Sequence, residues 1–183
     1  MQRELVERAR QGDEEAFDAL ARLVGDRCMA IACWILRDAS VAEDAVQLAL
    51  VRAWRELRTL RDPDRFEPWL HRILTNECYG EARRRTRWTA QLRILHVDRT
   101  DVAGIASVGD RDELERAFRR LTIEQRTVLV FHHYVGLTVP EIADRLGIPL
   151  GTAKSRLHYA TAALRASLEA DERSGTSIQE RSG

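Results

Sequence analysis

Residues Thr138–Leu164 read TVPEIADRLGIPLGTAKSRLHYATAAL. Ile142 and Leu146 lie four apart, so a helix through them carries both on one face. Ala143 is small enough to let a second helix come close. Gly147 falls where a tight turn between helices needs a positive φ. Ile148 is placed to plug the corner, and Ala153, Leu157 and Leu164 supply the inner stripe of the helix that follows. This is helix-turn-helix spacing, in which the second helix enters the DNA major groove and reads bases with residues near its N-terminus. Its outer side offers Thr152, Lys154, Ser155, Arg156, His158 and Tyr159. Lys and Arg donate to guanine edges or phosphates, Ser and Thr serve either, and amides at a helix start hold a phosphate. An ordinary helical hairpin with a solvated charged face shows the same spacing, so the rest of the chain must decide between them.

Working outward, helical periodicity dominates and strand alternation is absent. A block from near Glu113 carries Leu114, Phe118, Leu121, Val128, Leu129 and Phe131 toward the helix-turn-helix. In the first half, Gly12-Asp13-Glu14-Glu15 opens an apolar series of Ala16, Leu20, Leu23 and Val24. A second helix is expected to carry Met29, Ile31, Ala32 and Ile35, with a break at Arg37–Ser40. Ser40 followed by Glu43 has the spacing of a capping box for a third helix through Val46, Leu50, Ala53, Trp54 and Leu57. Arg61-Asp62-Pro63-Asp64 reads as a loop. A fourth helix is expected from Pro68, through Trp69, Leu70, Ile73, Leu74 and Cys78, to Arg83-Arg84-Arg85. The stretch 88–112 has scattered apolar residues and two glycines and reads as a flexible linker with a short helix around Leu92–Leu95. The Ser-, Gly-, Glu- and Arg-rich stretch 171–183 is expected to lack order.

Charge is informative by placement and not by sum. The chain has 29 basic and 29 acidic residues among 183 and no net charge. Yet Arg72, Arg83, Arg84, Arg85, Arg87 and Arg93 outweigh Glu77 and Glu81 over residues 72–93, whereas Asp98, Asp101, Asp110, Asp112, Glu113 and Glu115 make the next stretch acidic. Such alternation suits a surface that meets DNA in some places and avoids it in others.

Three stretches together carry a family resemblance. EIADRLGIPLGTAKSRL at Glu141–Leu157 resembles the C-terminal DNA-reading domain, region 4, of extracytoplasmic-function (ECF) sigma factors of the sigma-70 family. VAEDAVQ at Val41–Gln47, continuing to Arg52-Ala53-Trp54, resembles regions 2.1–2.2, and FEPWLHRILTN at Phe66–Asn76 resembles regions 2.3–2.4. The resemblance implies an all-α protein of two small helical domains joined by a flexible linker, with residues 1–87 as region 2, 88–112 as linker and 113–170 as the region 4 helix-turn-helix. It implies promoter-directed transcription initiation with core RNA polymerase, bound through its clamp and flap, and with promoter DNA as partners. An anti-sigma factor is a further expected partner, and the acidic linker is expected to occupy basic channels of the polymerase. Glu43, Asp44 and Gln47 are the expected polymerase contacts. For the −10 element the implied residues are Glu56, Leu60 and Asn76 around a base pocket, Arg61, Arg65 and Phe66 in the preceding loop, and Arg72, Arg83, Arg84 and Arg85 on phosphates. For the −35 element they are Thr152, Lys154, Ser155, Arg156, His158 and Tyr159. The chain departs from the family pattern at Leu60, where many relatives have an aromatic, at His132-His133, and at Tyr159, where an arginine is frequent.

Enzymatic readings find little support. The sequence has no glycine-rich phosphate loop, no HExxH and no nucleophile in a recognisable setting. Cys28, Cys33 and Cys78 form no CxxC pair and read as small core residues, so no metal or other cofactor is expected. Met1–Arg10 is charged from its third residue and no apolar run approaches a membrane span, so a cytoplasmic protein without membrane insertion is expected. Two rivals stay open on sequence grounds. A conventional operator-binding regulator would use only the C-terminal half, and a helical adaptor would leave the recognition helix and the arginines unexplained.

Overall fold

A computed structural model describes the backbone of residues 1–94 and 117–179 and the side chains of residues 1–88 and 117–166. Every regular element among them is helical. The helices divide into two units, an N-terminal and a C-terminal one.

In the first unit, α1 spans Gln2–Arg10, a short helix with no counterpart in the sequence expectations. Gly12 then turns the chain at φ +98°. Asp13 starts α2, Glu14–Leu36, by accepting from the Ala16 amide. Where the sequence suggested two helices, there is one. Gly25 costs it about 1 kcal/mol against alanine, but the buried stripe of Leu20, Val24, Cys28, Ile31 and Ile35 runs unbroken past it. The break comes at Arg37, which takes a left-handed φ of 61° and lays its guanidinium over the Trp34 ring.

Helix α3, Ala39–Glu56, is capped by Asp38 and not by the Ser40/Glu43 pair. Asp38 Oδ1 accepts from the Ser40 and Val41 amides at 3.1 and 3.2 Å, and its Oδ2 accepts from Arg85 at 2.6 Å. A carboxylate one residue before the helix satisfies orphan amides and favours the positive end of the helix dipole, so it displaces a later serine. Burial alone pushes the Asp38 carboxyl up, but the Val41 amide and the Arg85 guanidinium outweigh that and hold it below the usual carboxylate value. Asp38→Ala should therefore cost about 1 kcal/mol of stability. The contribution is full above the ordinary aspartate range and fades as pH falls through the lowered folded-state value. Thermal melts of both proteins across the acid range should converge at the low end; a constant gap would refute the cap.

The buried face of α3 is mostly alanine: Ala42, Ala45, Ala49 and Ala53 beside Val46. Small side chains let α2 and α4 both pack closely against it. Two 3-10 turns, Leu57–Thr59 and Pro63–Arg65, lead into α4, Phe66–Ile94. This helix starts two residues before Pro68, which sits within the first turn, where its missing N–H loses no intrahelical bond. It runs on past Arg85 to Ile94, through the residues where a linker was expected to begin. Its Leu70, Leu74 and Cys78 complete the core. Burial raises the Cys28 and Cys78 thiols to about 11 and about 12, which keeps both protonated at neutral pH and suits a packing role.

The second unit begins with a helical turn at residues 117–119. Thr122 and Gln125 then form a capping box that starts α5, Ile123–Leu129. A π-helical turn over Val130–Tyr134 carries Phe131 into the core. It is closed by Gly136 at φ +82° and by His132 Nδ1 donating to the Leu137 carbonyl at 2.8 Å. Helices α6, Val139–Leu146, and α7, Leu150–Gln179, follow. Helix α7 passes through 171–179, where composition suggested a loss of order; Glu169, Ala170, Glu172 and Arg173 are good helix formers and continue its register. The acidic stretch 98–115 and the last four residues lie outside the described residues.

Candidate nucleic-acid and polymerase interfaces

The corner between α6 and α7 is built as its sequence suggests. Thr138 donates from its amide and its hydroxyl to the Glu141 carboxylate at 2.7 and 2.6 Å, fixing the start of α6. At the other end Gly147 takes φ +64° and the Ile148 amide donates to the Ala143 carbonyl at 3.0 Å. That is the six-to-one bond of a Schellman turn, and a left-handed residue is needed to close it. Ile142 and Ala143 are buried on the inner side of α6, as are Ala153 and Ala160 on α7.

Burying Ala153 and Ala160 turns the opposite face of α7 outward. Lys154, Ser155, His158 and Tyr159 are exposed there, a stripe at i, i+1, i+4 and i+5, while Thr152 and Arg156 are half-buried at its edges. The Ser155 hydroxyl already donates to the Thr152 carbonyl at 3.0 Å. The His158 and Tyr159 rings meet edge to face, 5.6 Å apart. The stripe thus offers one exposed ammonium and a paired aromatic surface. His132, a departure noted in the sequence, is held by the turn before α6.

On the first unit the expected polymerase residues Glu43, Asp44 and Gln47 are all exposed on α3. Leu48 and Val51 on the same helix are 39% and 48% exposed. Asp44, Gln47, Leu48 and Val51 fall at i, i+3, i+4 and i+7 and so share one face. The alanines have already filled the α2 and α4 contacts, leaving these two apolar side chains beside the acidic patch. Next to them Phe17, Ala21, Leu50 and Trp54 line a groove between α2 and α3, with Glu14 and Asp18 at its edge. Trp54 packs on Phe17 at 5.0 Å.

Two residues expected to face −10 DNA are core. Leu60 is 6% exposed and Phe66 1%, so neither presents a face to a base. The 3-10 turns on either side of residues 60–62 point Leu60 inward, and Phe66 opens α4 from inside, against Trp69 at 6.2 Å. Arg61 and Arg65 are exposed in the intervening loop. Asp62 holds that loop by accepting from the Asp64 amide at 3.0 Å. Helix α1 braces it from the other side: Arg3 donates to Asp64 at 2.5 Å and Gln2 to Glu67 at 3.4 Å. Arg27 of α2 also reaches Glu67, at 3.3 Å.

Arg52 connects the ends of the expected base pocket. It donates to Glu56 at 2.8 Å on its own helix and to Glu77 at 3.1 Å on α4, the neighbour of exposed Asn76. Glu56, expected to line that pocket, is therefore an ion-pair partner of Arg52. Arg72, Arg83, Arg84 and Arg85 are exposed along α4. Of these, Arg84 pairs with Glu81 and Arg85 with Asp38. Sequence reasoning missed Arg52, Arg3 and the apolar members of the α3 face; the i+4 spacing of Arg52 and Glu56 was the one available signal.

Among the described residues, no set of three or more His, Cys, Asp or Glu side chains is arranged to hold a metal. No helix there is long and apolar enough to cross a membrane.

Residues 18–88 match the family model for sigma-70 region 2 and residues 111–164 that for sigma-70, region 4. The chain is 36% identical over 172 residues to the ECF RNA polymerase sigma factor SigL of Mycobacterium tuberculosis, covering 86% of this chain and 94% of that one. It is 30% identical over 179 residues to the RNA polymerase sigma-H factor of Pseudomonas aeruginosa, covering 91% and 93%. Among solved structures it is similar to CnrH in complex with the cytosolic domain of CnrY, at 28% identity and a TM-score of 0.66 over 93% of this chain and 98% of that one. It is likewise similar to the sigma factor RpoE in complex with the anti-sigma factor NepR from Bartonella quintana, at 27% identity and a TM-score of 0.68, covering 85% and 98%.

Proposed function

Because the chain belongs to the extracytoplasmic-function group of the sigma-70 family, and is thus a promoter-recognising factor for transcription initiation, we propose a division of labour between its two units. The α1–α4 unit (residues 1–87) binds the polymerase clamp through Glu43, Asp44, Gln47, Leu48 and Val51. It captures the −10 element through Asn76, the Arg61–Arg65 loop and the arginines of α4. The helix-turn-helix unit (113–170) binds the polymerase flap and reads the −35 element with the outer face of α7. Joining two modest interfaces through residues 88–112 raises the combined affinity by effective concentration. An anti-sigma factor, like the NepR found with RpoE, would act by covering the same faces. The site of action is the cytoplasm, where the polymerase works.

The observation that carries this reading is the mixed apolar and acidic face of α3. An operator-binding regulator has no use for it, and exposed leucine and valine beside carboxylates suit a partner helix of basic, amphipathic character. Reconstitution with core RNA polymerase tests it. The wild-type chain should bind core and give promoter-specific transcription. Leu48→Asp should weaken core binding by about tenfold or more, near 1.4 kcal/mol. Its melting temperature should barely move, because an exposed position tolerates substitution within about 0.5 kcal/mol. Undiminished core binding by Leu48→Asp would reject this face. Tight binding of the wild-type chain to duplex DNA without core binding would instead favour the operator-binding regulator.

A further inference from the structure

Trp88 is the residue that the proposed contacts leave without a task. It is 60% exposed, on the C-terminal part of α4. Isolated exposed apolar side chains are ordinary on protein surfaces and carry no message alone. The company of this one is not ordinary. Residues 83–88 read Arg-Arg-Arg-Thr-Arg-Trp, with four cations and no acid, and all six are exposed. Arg84 and Arg85 stand four and three residues before Trp88, on the turn of helix beneath the indole. Arg84 is also paired with Glu81 and Arg85 with Asp38.

A largely exposed indole at the end of a run of arginines offers a stacking surface inside a phosphate-attracting field. That pairing of chemistries suits single-stranded nucleic acid, whose bases lack a stacking partner and whose backbone is anionic. A protein partner would be expected to meet the same tryptophan with an apolar or acidic surround, and a duplex offers few free base faces. Position along the helix is consistent. Asn76 and Trp88 are twelve residues apart, which is about 18 Å at 1.5 Å per residue. That separation places the two beyond the reach of one nucleotide but within a short run of bases.

We propose that Trp88, at the end of the cationic run Arg83–Arg87, is a second stacking site for an unpaired base of the melted promoter, separate from the Asn76 pocket. The inference rests on the assignment of α4 to the −10 element. Trp88 supplies the stacking surface and the arginines the phosphate contacts, so the two should separate in their salt dependence. Loss of stacking lowers affinity at every salt concentration, whereas loss of a phosphate contact flattens the salt slope, by about 0.7 per contact on a single strand.

The test uses holoenzyme assembled from the full chain and core polymerase, with two labelled promoter fragments, one fully duplex and one carrying a preformed bubble over the −10 segment. Wild-type holoenzyme should prefer the bubble fragment; failure there would sink the −10 assignment itself, before Trp88 is considered. Given that preference, Trp88→Ala should weaken bubble binding by about tenfold, within the 1–3 kcal/mol typical of base–aromatic stacking. Trp88→Phe should restore most of it. The salt slope and binding to core should stay unchanged. Arg87→Ala should flatten the slope instead. Equal loss on duplex and bubble fragments, loss of core binding, or no loss at all would each overturn the proposal, the second by assigning the tryptophan to the polymerase.

Discussion

Phe66→Ala should melt the α1–α4 unit at a markedly lower temperature, and should do so without any DNA present. Phe66 is among the largest fully buried side chains of the protein. Truncating such a phenylalanine costs about 3–5 kcal/mol, from lost transfer energy and the cavity left behind. Small domains have only about 5–15 kcal/mol of net stability. Since 1 kcal/mol shifts the midpoint of a 60–100-residue domain by about 4–8 °C, the drop should exceed roughly 12 °C. Phe66→Leu, which nearly keeps the volume, should recover most of the loss. The result discriminates between two roles. Were Phe66 a base contact, as its place in the loop suggested, alanine would leave the melt unchanged and impair only promoter opening. A melting curve by circular dichroism therefore decides the matter before any transcription assay, and an unshifted midpoint would return Phe66 to the DNA surface.

Leu60 and Phe66 were carried to the −10 surface by resemblance, and burial places both in the core. Periodicity identifies a helix face only inside a helix. Between residues 57 and 65 the chain makes two 3-10 turns whose side-chain directions follow no 3.6-residue rule. The same limit explains Asp38. Ser40 and Glu43 satisfied a spacing rule, but the aspartate two residues earlier had both the charge and the Arg85 partner, and Arg85 lies 47 residues away. Helix α1 escaped notice because its buried contribution is Val6 and Ala9 alone. By contrast the turn between α6 and α7 was legible, although Ala160 was missed on the inner stripe. Its determinants, Ala143, Gly147 and Ile148, sit within six residues, and the Ile148 amide bonds the Ala143 carbonyl.

The apolar members of the α3 face were hidden for a related reason. Leu48 and Val51 look like core in a helix, and would be if α3 needed them. The alanine face at 42, 45, 49 and 53 already meets α2 and α4, and its small side chains leave no room for a wider buried stripe. Exposure here follows from close packing on the opposite side, a three-dimensional consequence of choosing alanine. Sequence could supply the acidic half of the proposed interface, since charge needs no packing to be recognised, but not the apolar half.

The largest expected effect on promoter choice belongs to Lys154. Its ammonium is exposed on the outer face of α7, one turn from the helix start, where recognition helices meet base edges. No shift in stability is expected from Lys154→Ala beyond about 0.5 kcal/mol, since the side chain fills no core space. Loss of a specific base contact there should cost about 1–3 kcal/mol on the cognate promoter, a factor of roughly five to 150. The identity of the contact shows in how the loss is distributed. A base contact makes the penalty large on the intact −35 element and small on a scrambled one, which relaxes specificity. A phosphate contact weakens all sequences alike and lowers the salt slope by about one. Ser155→Ala should do less, because its hydroxyl is already committed to the Thr152 carbonyl. Arg156→Ala is a poorer probe, since a half-buried stem makes lost packing and lost charge inseparable. Competition binding of holoenzyme to matched and scrambled −35 fragments at several salt concentrations separates these cases. If Lys154→Ala left both affinity and slope untouched, the reading face of α7 would have to be moved toward His158 and Tyr159, whose joined rings are the other exposed chemistry on that stripe.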